Sequence, residues 1–155
     1  NPVIVPGGSA CNTAIGVARL GGSARFVGTR GPDATGQLFE DDLRNNNVEP
    51  LLFRSQDAPT GKVLSIVTPD AQRSMFTFLG AAAETAPGAL TPECFQDAKI
   101  VHLEGYLLFN EDLMLAALNA ARAAGAMISL DLASFTVVEG AKNLLIILWK
   151  NMLIS

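Results

Sequence analysis

Two adjacent glycines, Gly7 and Gly8, stand directly before a run of helical spacing, and Asn12 follows one turn into that run. Glycine admits positive φ and lets a ligand or a second strand come into contact with the backbone. Amides at a helix N-terminus favour anionic or oxygen-rich groups. An asparagine one turn on offers both a donor and an acceptor to a hydroxyl-bearing ligand. A tight turn with a satisfied cap would use the same residues, so the stretch alone leaves both readings open. Adjacent glycines do not make the G-x-G-x-x-G dinucleotide fingerprint. Gly61-Lys62 does not complete a Walker P-loop, because Gln56 stands where the first glycine belongs and Val63 where Ser or Thr should be. The pair therefore reads as a hydroxyl clamp rather than a pyrophosphate cradle.

Other reactive side chains are sparse. His102 is the only histidine and falls inside a predicted strand, where a packed or hydrogen-bonded imidazole is expected rather than a triad or metal ligand. Asp131, within "MISLDL", lies at the carboxyl edge of a strand, the place where open α/β sheets bind ligands, and is a candidate acceptor or cation-shell contact. Arg73 could reach an anionic substrate or serve as a solvated edge charge. Glu84, Glu93 and Asp97 read as surface acids. Cys11 and Cys94 have no C-x-x-C spacing, so neither a disulfide framework nor a zinc site is expected, and a reducing, cytoplasmic setting is. No metal site is expected in this chain.

The elements that must position these residues alternate between two periods, the pattern of an α/β fold with a mainly parallel sheet. A helix is predicted over Ala10 to Leu20, ended by Gly21-Gly22. "ARFVGT" supplies a strand, and Gly36 to Asn46 a helix with Leu38, Phe39 and Leu43 inward. Helical spacing disappears between 51 and 83, where "KVLSIVT" and "RSMFTFL" flank a Pro69–Gln72 turn and predict an inserted hairpin. After it come "KIVHLE" as a strand, Glu111 to Ala124 as a helix capped by Asn110, "MISLDL" as a strand, and Phe135 to Trp149 as one last helix, either core-facing or a surface that has lost its cover. About four core strands are counted where a doubly wound sheet carries roughly five or more. The chain is thus expected to be part of a larger domain.

The 155 residues are 49% hydrophobic and 17% charged, which fits a globular chain. A net charge of -4 lacks the basic face that neutralises phosphates, so no nucleic-acid partner is expected. The most apolar run, Leu144 to Trp149, is far shorter than the roughly 18 residues of a membrane span, and no membrane partner or secretory signal is expected.

Gly7, Gly8, Ala10, Asn12, Ala14, Gly21 and Gly31 together reproduce the N-terminal signature of the PfkB carbohydrate kinases, the ribokinase-like sugar and nucleoside kinases. "RGPDATGQLFEDDLRNNNVE" resembles that family's Gly-x-Asp-x-x-Gly segment, "PTGKVLSIVTPDAQRSMFTFLGAA" its lid strands, and "VHLEGYLL" the strand with a substrate-facing acid. The similarity runs from Pro6 to about Glu139 and leans towards the sugar and adenosine-kinase-like branch.

What the resemblance implies is a ribokinase-like three-layer α/β/α core, partial and Rossmann-like, with a small β lid. Residues 1–155 would form a single incomplete kinase domain, 51–83 contributing the lid strands. The implied activity is ATP-dependent phosphorylation of a hydroxymethyl group on a sugar or nucleoside. Gly7, Gly8 and Asn12 would hold the acceptor's hydroxyls, Glu104 would supply a carboxylate to the sugar, and Gly80 and Ala81, at the lid-to-core junction where the lid folds over the substrate, would complete the substrate-binding set with Asp131. ATP, Mg2+ and a monovalent cation are the implied cofactors, and a homodimer through the lid strands or the apolar tail is the implied assembly. The chain departs from the family's pattern in lacking the strand aspartate that precedes the glycine pair. The Gly-Ala-Gly-Asp segment with its general base and the magnesium-linked Asn-x-x-Glu segment of a C-terminal half are not assigned in it either. Without base and anion hole, turnover by this chain alone is not expected. A non-catalytic fragment or self-associating binding module is the alternative, and the acceptor's identity stays open.

Overall fold

A computed structural model describes residues 3–152. Their contacts divide the chain into two units, Asn1–Thr85 and Ala86–Ser155. In the first, α1 (Ser9–Arg19) places Cys11, Ala14, Ile15 and Ala18 on one face, the i, i+3, i+4, i+7 pattern that packs against a sheet. It closes as the spacing predicts. Gly21 takes φ 86, its amide donating to Ala18 O and that of Gly22 to Val17 O, a glycine C-cap.

β1 (Ala24–Arg30) and β2 (Val48–Arg54) pair in parallel, from Ala24↔Val48 to Arg30↔Arg54, with α2 (Ala34–Asn45) between them in sequence. The buried centre is Cys11, Leu43 and Val48, packed against Ile15, Phe26, Phe39 and Leu52. The Phe26 and Phe39 rings meet edge to face, centroids 5.3 Å apart. α2 begins two residues before the sequence expectation, because Asp33 caps it by accepting from Gly36 N at 2.9 Å.

β2 is a strand the sequence reading did not assign: Leu51–Arg54, the start of the 51–83 stretch, belong to the parallel pair, and the hairpin strands lie further along. Pro50 hid the strand. A proline argues against a central strand, but β2 has a single partner among the described residues, which is where proline is tolerated. The hairpin itself is β3 (Lys62–Val67) and β4 (Arg73–Phe78), antiparallel from Lys62↔Phe78 to Val67↔Arg73. Every residue of both strands is exposed.

The second unit pairs β5 (Ile100–Leu103) with β6 (Met127–Leu130) in parallel, joined through α3 (Glu111–Ala123). Asn110 caps α3 as predicted, accepting from Leu113 N at 3.1 Å, and Leu113, Met114, Ala117, Leu118 and Ala121 form its buried face. The single helix expected over Phe135 to Trp149 is two, α4 (Phe135–Gly140) and α5 (Lys142–Met152). Gly140 is a poor helix residue, and Ala141 leaves the helical backbone behind it at φ -105, ψ 14. On α5, Leu144 and Leu148 are buried one turn apart while Ile146, Ile147 and Trp149 are exposed. The apolar tail is therefore core-facing on one strip only. No helix among the described residues is long and apolar enough to cross a membrane.

Candidate functional site

Gly8 is the N-cap of α1 at φ 112, ψ 142, a backbone region that side chains rarely adopt. No side chain caps this helix, and Asn12 N donates to Gly8 O at 2.9 Å, so the first helical amides are left to outside partners. A Cβ on Gly7 or Gly8 would meet nothing within 4 Å. The protein itself does not crowd the pair, so the close approach that bare backbone permits is available to something else. Asn12 is exposed, and its side chain makes no hydrogen bond among the described residues. It lines an open depression of about 440 Å³ with Val5, Pro6, Ile15, Arg19 and Asp42.

Gly80 and Ala81 have a packing role at the root of the hairpin. Gly80 takes φ 50, and a Cβ there would stand 2.2 Å from Pro59 O. Ala81 is fully buried, its amide donating to Pro59 O at 2.9 Å. The same segment fits against Gly31 and Gly36: a Cβ on the first would lie 2.5 Å from Thr60 N, on the second 2.6 Å from Thr60 Oγ1. Thr60 is the centre of this knot. Its hydroxyl donates to Asp33 Oδ1 at 2.5 Å and accepts from Gly31 N at 3.0 Å, while its amide donates to Asp33 Oδ2 at 3.2 Å. These bonds, the Thr60 hydroxyl foremost, hold the Asp33 carboxyl far below the ordinary aspartate range. Lys62 Nζ lies 3.6 Å from the same carboxylate. Sequence reading quoted both segments without joining Asp33 to Thr60. The Gly-x-Asp-x-x-Gly spacing was the signal.

In the second unit Glu104 and Asp131 come to the same edge. They follow the last paired residues, Leu103 and Leu130, at the carboxyl ends of parallel neighbours, and Asp131 N donates to Leu103 O at 3.0 Å. Gly105 makes the approach possible, since a Cβ there would stand 2.6 Å from Asp131 O. Asp131 turns its carboxylate on its own loop, Oδ1 accepting from Ala133 N at 2.6 Å. The Glu104 side chain is 14% exposed, and its one partner among the described residues is His102, Nε2 to Oε1 at 3.6 Å. A half-hidden carboxylate with unused acceptor positions is suited to hydroxyl groups. Gly7, Gly8, Asn12, Gly80 and Ala81 belong to the first unit and Glu104 and Asp131 to the second.

Sequence reading also missed a buried ion cluster. Glu40 sits among three arginines, with Arg30 at 2.7 Å, Arg44 at 2.6 Å and Arg54 at 3.6 Å, and Arg30 donates further to Gly31 O and Gln37 Oε1. The Arg30 hydrogen bond, with Arg44 adding to it, lowers the Glu40 carboxyl against the opposing effect of burial. Arg73 is exposed at the start of β4. One literal Asn-x-x-Glu string does occur, Asn46 to Glu49, but its side chains have structural partners. Asn46 Oδ1 accepts from Arg19 Nη2 at 2.8 Å, and Glu49 pairs with Arg25 at 2.9 Å.

Gly61 is packed against Leu79 O and Lys62 points at Asp33, and among the described residues no group of three or more His, Cys, Asp or Glu is disposed to hold a metal.

A family model described as pfkB family carbohydrate kinase matches residues 1–145. The chain is 35% identical over 138 residues to fructokinase-1 of Oryza sativa subsp. japonica, covering 83% of this chain and 42% of that one. The crystal structure of adenosine kinase from Sinorhizobium meliloti superposes with a TM-score of 0.84 at 32% identity, over 96% of this chain and 47% of that one. Fructokinase from Xylella fastidiosa with bound ATP superposes with a TM-score of 0.74 at 27% identity, over 84% and 44%. The fold is accordingly a partial ribokinase-like α/β fold, and the chain spans less than half the length of these relatives.

Proposed function

The chain belongs to the pfkB family of carbohydrate kinases, and from that premise we propose that the protein is an ATP-dependent kinase for a hydroxymethyl group on a sugar or nucleoside, these residues contributing acceptor-binding and lid parts. The observation that carries the reading is the uncapped N-terminus of α1 at Gly8, where family signature and open space coincide. Gly7 and Gly8 amides and the Asn12 side chain hold acceptor hydroxyls, and Glu104 accepts from another, with Asp131 beside it. Gly80 and Ala81, clamped to Pro59, root the hairpin that folds over the acceptor and excludes water. Residues 1–155 then form one kinase domain in part, with the lid at 62–78. ATP is the phosphoryl donor by family, with Mg2+ and a monovalent cation as the implied cofactors and Asp131 a candidate contact for a cation's shell. The buried thiols of Cys11 and Cys94 suit a reducing compartment such as the cytoplasm.

The test is transfer of labelled γ-phosphate by the full-length gene product to fructose, ribose and adenosine. Transfer to one of them is expected, and transfer to none overturns the reading. A second reading, of this chain as a self-associating module, is favoured by the uncovered apolar side chains of the hairpin, Leu64, Ile66, Phe76 and Phe78 on one face, and of α5. Pairing of hairpin edges or α5 strips across a two-fold axis would make a homodimer. Light scattering that finds only monomer at high concentration overturns it.

A further inference from the structure

Among the described residues, one side chain reaches the Glu104 carboxylate. His102 stands two residues earlier on the same face of β5, its Nε2 3.6 Å from Glu104 Oε1. Its Nδ1 lies 3.1 Å from the hydroxyl of Ser129, the register partner of His102 on β6. The imidazole thus bridges a hydroxyl on one strand and a carboxylate at the end of the next. A neutral imidazole carries a single N–H. A bare Nε2 lone pair facing a carboxylate is repelled, whereas N–H at that position is attracted, even at a separation beyond hydrogen-bond length. With the proton on Nε2, Nδ1 is left as an acceptor, and Ser129 Oγ–H is the donor within reach.

We propose that Ser129 and His102 are positioning residues for Glu104. Ser129 donates to Nδ1 and so keeps an N–H on Nε2 directed at the carboxylate, which is held ready to accept from a hydroxyl of a polyol ligand. The ligand half of this inference rests on the reading of Glu104 as an acceptor contact. The Ser129–His102 geometry stands independently of it.

Because His102 is the only histidine, long-range proton–nitrogen NMR reports on it alone. At a pH where the ring is neutral, Nδ1 is expected to read as a hydrogen-bonded acceptor and Nε2 as protonated. Ser129→Ala removes the hydrogen-bonded signature at Nδ1, and Ser129→Thr restores it. Binding of fructose and of adenosine is then measured for Ser129→Ala, Glu104→Gln and the double variant. Ser129→Ala is expected to weaken binding roughly tenfold in the otherwise native chain, and to add nothing in the Glu104→Gln background. Protonation at Nδ1 overturns the proposal, as does equal weakening in both backgrounds. Should the native chain bind neither probe, the ligand role falls together with the acceptor reading, while the nitrogen pattern separately decides whether the pair exists.

Discussion

Asp33 holds Thr60 at both ends, one carboxylate oxygen taking the hydroxyl at 2.5 Å and the other the amide at 3.2 Å, across 27 positions of sequence. The bond ties the start of α2 to the segment that leads into β3, and so fixes one root of the hairpin. Thr60→Val keeps the shape but leaves Asp33 and Gly31 N without their hydroxyl partner. A loss of about 1–3 kcal/mol in urea unfolding is expected. Stabilisation from Asp33 follows from its lowered carboxyl: it is full above the ordinary aspartate range and declines as pH falls through the folded-state value. Asp33→Asn should therefore flatten the acid limb of the stability profile, and an unchanged limb would contradict the role.

Gly7 and Gly80 separate binding from packing. Gly80→Ala places a Cβ 2.2 Å from Pro59 O in a positive-φ backbone, so unfolding should come at clearly lower urea. At Gly7 a Cβ meets nothing, so Gly7→Ala should leave stability within about 0.5 kcal/mol while weakening binding of fructose or adenosine. Calorimetry and urea titration of the two variants check both halves, and a Gly7 variant that binds normally removes it from the acceptor site.

Asn12 is exposed and its side chain has no partner among the described residues, so Asn12→Ala should not affect folding. If it bonds an acceptor hydroxyl, affinity falls by about 1–3 kcal/mol. Binding unchanged from the native chain would exclude that role.

Glu40→Gln leaves the Arg30 guanidinium, 3% exposed, without its countercharge, and a cost of about 3–5 kcal/mol is expected from equilibrium unfolding. Glu40 also titrates below its ordinary value, so its contribution is present at neutral pH and lost on acidification.

Burial pushes the Cys11 thiol up to about 11, with the Asp42 charge adding to the rise. The thiol stays protonated at pH 8, and iodoacetamide followed by mass spectrometry should label Cys11 only after denaturant is added. Fast labelling of the native chain would show that the site opens.

Much of this protein was legible from local pattern. Residue period placed α1, β1, the hairpin, β5, α3 and β6 to within a residue or two, because amphipathic spacing and glycine or asparagine caps are local properties of the chain. Gly7, Gly8, Ala10, Asn12, Ala14, Gly21 and Gly31 together carried the resemblance to the pfkB family, which the family match over residues 1–145 bears out. Long-range contacts decided the rest. Pro50 masked a strand that exists because β1 offers it a parallel partner, and Ala141 ends a helix that apolar residues on both sides would have continued. Glu40 carried no expectation from the sequence: "FEDDLR" does contain its i+4 partner Arg44, but Arg30 on β1 and Arg54 on β2 reach it only through folding. Likewise, Ser129 and His102 lie 27 positions apart and meet only through strand register. A side chain's type and period are written along the chain. Its partner, its burial and hence its protonation depend on which strands lie side by side, and three-dimensional packing alone determines that.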